Sequence, residues 1–208
     1  MDFELSIFHN HFIKIKIVGD QFRIHEFREF DKTHDSGADV HISMAGDNNP
    51  VANVSWEQAV QYCNWLSTRE GLTPVYKEEF GKWVPILPFP DGYRLPTEAE
   101  WSWAIRYAGT PGSTRFSWGD RWPPNRDSGN FADKSALELV PSIIPRYDDG
   151  FASTAPVGKF RPNALGIFDG AGNVAEWVND LYTVPTPGLT TPLIDLTGPQ
   201  RGNANVIR

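Results

Sequence analysis

The residues best suited to chemistry in this 208-residue chain lie in one run, Gly166 to Trp177, GIFDGAGNVAEW. Two carboxylates, Asp169 and Glu176, bracket Gly170 and Gly172. An acidic chain with many Asp and Asn in Gly-rich turns is well supplied with hard oxygen ligands of the kind calcium takes, and glycines let the backbone fold back on itself. The same letters also describe an ordinary Asx-type turn followed by a surface carboxylate. Asn173 is placed to bond its own backbone, and Trp177 is expected to be a core anchor. Other reactive groups are sparse. His9 and His11 have an HxH spacing but no third ligand, which favours a solvated or capping role. Cys63 is the only cysteine, so the chain holds neither an internal disulfide nor a thiolate pair. No nucleophile elbow, phosphate-binding glycine loop or zinc pattern occurs. Trp118, Trp122 and Trp83 could wall a carbohydrate or peptide groove, although loop anchoring is the default for such rings.

Two helices are positioned to carry these groups. Ser55 and Gln58 form a capping box for a helix that Gly71 stops, with Trp56, Ala59, Val60, Cys63 and Leu66 on one face. Cys63 is thereby expected to be a small core residue. Thr97 and Glu100 form a second capping box. Trp101, Ala104, Ile105 and Ala108 make the buried stripe behind it, and Gly109 ends the helix. Ile13, Ile15 and Ile17 alternate with lysines in a strand pattern, Phe22, Phe27 and Phe30 lie near helical spacing, and residues 33–49 read as a loop. The stretch Gly71–Gly92 reads as an excursion or hairpin. After Gly109 the chain is short apolar pieces broken by Gly, Pro, Asn and Asp. Coil of that length needs a metal, disulfides or aromatic clamps to hold it.

Composition narrows the options. Eight Trp, 18 Gly and 17 Pro beside 22% charged residues favour an irregular single domain over a helical bundle. A net charge of −7 argues against a nucleic-acid surface. No apolar run approaches the roughly 18 residues needed to span a bilayer, and the N-terminus lacks a signal-peptide pattern.

Read in order, PVANVSWEQAVQYCNWL (50–66), YRLPTEAEWSWAIRYAG (93–109), FSWGD (116–120), DDGFASTAPVGKFRPNALGIFDGAGNVAEW (148–177) and VND (178–180) resemble the formylglycine-generating enzyme, or sulfatase-modifying factor, family. Residues 50–182 carry the best of the match. The resemblance implies an α+β, C-type-lectin-like fold with two main helices, small sheets and much ordered coil, residues 1–208 forming a single domain.

It also implies two calcium sites. One matches Asp169, Gly172, Val174 and Glu176; the other matches the Asn130 side chain, the Phe131 carbonyl, the Asp149 side chain and the Phe151 carbonyl. The family activity is copper-dependent oxidation of a peptidyl cysteine to formylglycine in sulfatases, carried by a cysteine pair beyond an Arg-Gly-Gly-Ser-Trp stretch. Asn205 to Arg208 resembles the strand leading into that stretch, and no pair follows it. The expectation is therefore a C-terminally truncated domain with calcium as structural cofactor. Copper enters only through a further segment, catalysis does not lie in this chain, and the partner is a sulfatase-like polypeptide or another peptide. The alternative is a non-catalytic, calcium-stabilised binding module.

Overall fold

The computed structural model describes residues 21–107, 114–184, 197–199 and 201–208. In chain order the regular elements are helices α1 (Ile24–Arg28) and α2 (Trp56–Arg69), strands β1 (Tyr76–Glu79) and β2 (Lys82–Pro85), helix α3 (Glu98–Ser102), and strands β3 (Trp177–Leu181) and β4 (Asn205–Ile207). The expected strand around Ile13–Ile17, the His9/His11 pair, Ala108 and Gly109 lie outside the described residues.

The chain divides into two compact units. In the first, α2 begins directly after Ser55 and buries Val60, Cys63 and Leu66, the face its periodicity predicts. It stops as the sequence requires. Gly71 takes a φ of 72°, its N–H donates to the Thr68 carbonyl (3.2 Å), and the Leu72 N–H donates to the Ser67 carbonyl (2.8 Å), the paired bonds of a Schellman end.

The following excursion is a hairpin. Tyr76 pairs with Pro85 and Glu79 with Lys82, so Phe80 and Gly81 form a two-residue loop with both φ positive. The Asn64 side chain ties this hairpin to α2: its Oδ1 accepts from the Val75 and Tyr76 N–H groups and its Nδ2 donates to the Tyr76 carbonyl. Strand β3 pairs antiparallel with β4, with a register shift between Trp177 and Leu181. Val178 is fully buried while Trp177 is half-buried, so the core anchor expected at 177 is provided largely by its neighbour.

The start of α3 matches the predicted capping box. The Glu100 N–H donates to Thr97 Oγ1 (3.2 Å), and the Thr97 N–H donates to Glu100 Oε2 (2.8 Å). Glu100 also receives a two-pronged contact from Arg94, Nη1 to Oε2 at 2.7 Å and Nη2 to Oε1 at 2.8 Å. The Arg94 side chain is only 2% exposed, so this is a buried ion pair.

In the second unit, α1 buries Ile24 and Phe27, and Phe27 packs edge-on against Phe30 and His34. Ala104 and Ile105 are buried as the sequence stripe predicts, but Trp103–Tyr107 winds as a π-type turn rather than an α-helix. The Asn163 side chain donates to the Ala104 carbonyl (2.7 Å), and a side chain inserted into the helical ladder favours such widening. The rest of the unit is coil, apart from short 3₁₀ turns at Ile42–Ala45 and Lys134–Ala136. No described helix is long and apolar enough to cross a membrane.

The Arg94–Glu100 pair sets a testable cost. Removing one partner leaves an uncompensated buried charge, so Glu100→Ala should lower stability by about 3–5 kcal/mol in urea unfolding. A loss of well under 1 kcal/mol would show the pair to be dispensable. Burial pushes the Glu100 carboxyl up, but Arg94 and Thr97 outweigh burial and hold it below the usual carboxylate range. A folded pKa below the unfolded one gives stabilisation that is present at neutral pH and lost as pH falls through the depressed value. The melting temperature should therefore fall on acidification below roughly pH 4, and less so in Glu100→Gln.

Candidate functional site

In the GIFDGAGNVAEW run Gly166 (φ 79°) is left-handed, and so are two residues other than glycine, Asp169 (φ 57°) and Asn173 (φ 75°), of the types that tolerate this region most readily. The glycines between them serve another purpose. A Cβ on Gly170 would lie 2.4 Å from Ile105 Cδ1, and one on Gly172 would lie 2.5 Å from the Asn130 carbonyl oxygen. Space, not positive φ, demands glycine at both positions.

Asn173 does not bond its own backbone, as its sequence context suggests, but joins three other segments. Its Oδ1 accepts from the Ala155 N–H (2.8 Å) and from Asn130 Nδ2 (3.0 Å), while its Nδ2 donates to the Ala155 carbonyl (3.0 Å) and to Gln21 Oε1 (2.9 Å). Its own N–H donates to the Asn130 carbonyl (2.9 Å). Toward Ala155 the side-chain amide behaves like a neighbouring strand, offering both a donor and an acceptor. Gln21 completes the network by donating to the Gly172 carbonyl (3.0 Å).

Of the first expected calcium set, Asp169, Gly172 and Val174 belong to the second unit and Glu176 to the first. Asp169 is buried, and its Oδ2 accepts from the Gly158 N–H at 2.6 Å. The Gly172 carbonyl accepts from Gln21 and from the Val174 N–H. In the first unit the Glu176 carboxylate accepts from the Trp101 indole N–H (2.6 Å), and its backbone pairs with Arg208.

The second set lies entirely in the second unit and is drawn together. Asp149 Oδ2 accepts from the Phe131 N–H and Oδ1 from the Phe151 N–H, both at 2.9 Å. Asn130, buried beside them, donates to the Ser153 carbonyl at 2.5 Å. Burial pushes the Asp149 carboxyl above its usual range; the two N–H donors oppose this, and the neighbouring carboxylates of Asp133 and Asp148 add to it. Asp148 is paired with Lys134 (2.6 Å) and both Asp149 oxygens already accept N–H groups, so a cation here would draw on the Asp149 carboxylate and the peptide carbonyls at 131 and 151, hard oxygens of the kind calcium takes. Among the described residues, no three His, Cys, Asp or Glu side chains gather as a metal cluster, so backbone oxygens would have to supply much of any shell.

Three functional residues were not singled out in the sequence. Asn163 shows only an Asx-turn, its Oδ1 accepting from the Leu165 N–H (3.0 Å), which gives no sign of its bond to Ala104, and Gln21 carries no local signature. Asp133 does: Asp-Lys-Ser is an N-cap pattern, and its Oδ1 accepts from the Ser135 N–H (2.7 Å). Its other oxygen reaches farther, accepting from the Asp149 N–H (2.7 Å) and the Gly150 N–H (3.3 Å). Fully buried, Asp133 fixes the backbone that presents Asp149. Burial pushes its carboxyl up, and the hydrogen bonds from Ser135, Asp149 and Gly150 more than reverse this.

Cys63 is 4% exposed, and burial pushes its thiol up to about 12, so it is a core thiol and not a thiolate. Trp83 sits in the β1–β2 hairpin of the first unit. In the second unit Trp118 stacks on Phe116 (4.7 Å, 7° between planes), meets Phe131 edge-on and lies 6.5 Å from Trp122. That cluster clamps coil, the bland expectation for these rings. Beside it the second unit holds a cavity of about 290 Å³, whose lining includes Ile105, Trp118, Ile167, Asp169, Gly170 and Ala171.

The fold is thus an α+β scaffold of two main helices, two-stranded sheets and extensive ordered coil. A solved structure titled Treponema denticola variable protein 1 superimposes with a TM-score of 0.68 at 26% identity, covering 91% of this chain and 70% of that one. The chain belongs to the sulfatase-modifying factor enzyme 1-like domain family, which matches residues 9–206. Formylglycine-generating enzyme of Streptomyces coelicolor is 35% identical over 167 residues, 77% of this chain and 41% of that protein. The Mus musculus enzyme of the same name is 34% identical over 73% of this chain and 32% of its own length. A second Mus musculus relative, inactive C-alpha-formylglycine-generating enzyme 2, is 34% identical over 64% of this chain and 32% of that protein. The chain spans well under half the length of these relatives.

Asp133→Ala should cost about 1–3 kcal/mol, because it strands the buried Asp149 N–H. Gly172→Ala should also destabilise, by driving Cβ into the Asn130 carbonyl. Chemical denaturation checks both, and wild-type midpoints would contradict the assigned roles.

Proposed function

We propose that this chain supplies the calcium-ordered scaffold of a formylglycine-generating-type domain and that its own residues do not perform the cysteine oxidation. One observation carries the reading: the only cysteine is sealed in the core of the first unit as a neutral thiol. A copper site for this chemistry needs soft, ionised sulfur, and Cys63 does not fit it. The scaffold would support oxidation of a peptidyl cysteine in a sulfatase-like polypeptide only together with a cysteine pair from elsewhere. The match to an inactive paralogue is consistent with a family member that keeps the scaffold without the reaction.

We further propose calcium at Asn130, Phe131, Asp149 and Phe151, and at the turn of Asp169, Gly172 and Val174. When bound, calcium would supply positive charge to a loop region rich in buried carboxylates. Asp149 and Asp169 would be its anionic ligands, and Asp133 would hold the Asp149 backbone in place.

Two measurements test these proposals. Adding calcium after chelation should raise the melting temperature, and the rise should shrink in Asp149→Ala and in Asp169→Ala; a melting temperature indifferent to calcium would overturn the cation assignment. Incubated with copper and a cysteine-containing sulfatase peptide, the 208-residue chain should form no more formylglycine than Cys63→Ala does. Copper-dependent turnover that Cys63→Ala abolishes would refute the non-catalytic reading.

A further inference from the structure

The cavity beside the aromatic cluster shares Asp169 with the proposed cation turn but is otherwise unused by the cation and oxidase readings, and its lining is chemically selective. At about 290 Å³ it lies at the small end of ligand sites, roughly 300–1,000 Å³, which suits one ring rather than an extended chain. Two guanidinium groups, Arg106 and Arg161, and two carboxylates, Asp127 and Asp169, line it. Arg161 pairs with Asp127 (3.1 Å), whereas Arg106 donates only to the Thr114 carbonyl (3.3 Å) and faces the Tyr107 ring, with no carboxylate in salt-bridge reach among the described residues. The formal charges cancel.

That balance bears on the ligand. An oxyanion only accepts hydrogen bonds, so it would gain from Arg106 but be repelled by the Asp127 carboxylate. A hydroxyl both donates and accepts, so it is satisfied by carboxylate, guanidinium and amide groups set side by side. Ser117, Asn125 and Ser128 add neutral polar side chains, and none of the three has a side-chain hydrogen bond to another described residue. Ile105, Ile167 and Trp118 add apolar surface to the lining, of the kind that accepts the C–H face of a ring.

We propose that this cavity binds one neutral sugar ring. Hydroxyls bond to Asn125, Asp127, Ser128 and Arg106 while the ring's C–H face lies toward Trp118. The proposal goes beyond the oxidase-family reading and does not rest on it, because none of its hydroxyl-binding groups is an assigned calcium ligand.

Saturation-transfer NMR on the full chain tests it, with glucose, galactose and N-acetylglucosamine offered singly and with glucuronate and inorganic sulfate as charged comparators. At least one neutral sugar should give a saturable signal. Asn125→Ala and Asp127→Ala, both at exposed positions, should each weaken that binding about tenfold and leave the melting temperature unchanged, whereas Trp83→Phe in the other unit should bind like the wild type. Absence of a saturable signal from all three neutral sugars would overturn the proposal. So would tighter binding of sulfate or glucuronate than of any neutral sugar, or wild-type affinity in both cavity variants.

Discussion

The side-chain amide of Asn173 joins three segments of the second unit, those at Gln21, Asn130 and Ala155. Coil has no ladder in which neighbouring backbone groups satisfy one another, and a buried peptide N–H or carbonyl without a partner is costly. Here side chains take over that task. Asn173 satisfies both the N–H and the carbonyl of Ala155 and holds Asn130 and Gln21 with its remaining capacity. The Asp133 carboxylate accepts from the N–H groups of Asp149 and Gly150. Both act across many residues of sequence, so they replace the long-range pairing that a sheet would otherwise provide.

Close packing follows from the same constraint. The Asn173 N–H reaches the Asn130 carbonyl only because Gly172 lets the two backbones approach, and Gly170 leaves room for Ile105 of the π-type turn. Asn163 holds that turn by its Ala104 carbonyl. The result is a turn fixed from several sides, next to a cavity and adjoining loops that gather carboxylates. The buried carboxylate of Asp149 is the feature a divalent cation would offset.

Local rules made part of this legible in the sequence. Thr97 and Glu100 announced the start of α3, Gly71 the end of α2, and the spacing of Val60, Cys63 and Leu66 the buried face, because each acts within one or two helical turns. The ordered run of motifs identified the family. What stayed hidden was non-local. Nothing near Gln21 signals its bond to Gly172, about 150 residues away. The π-type winding of Trp103–Tyr107 accompanies a bond to Asn163 that apolar periodicity does not register. Asn173 showed its residue type but not its partners, and a turn-forming asparagine more often bonds nearby backbone.

If side-chain amides and carboxylates order this coil, its backbone should open cooperatively, and native-state hydrogen exchange reads this most directly. The amide protons of Ala155, Asn173, Asp149 and Gly150 should be protected to a degree comparable with the middle of α2, and Asn173→Ala should release those of Ala155 and Asn173 together. Exchange of these amides at the rate of open loops in the wild-type protein, or unchanged protection of Ala155 in Asn173→Ala, would contradict the account.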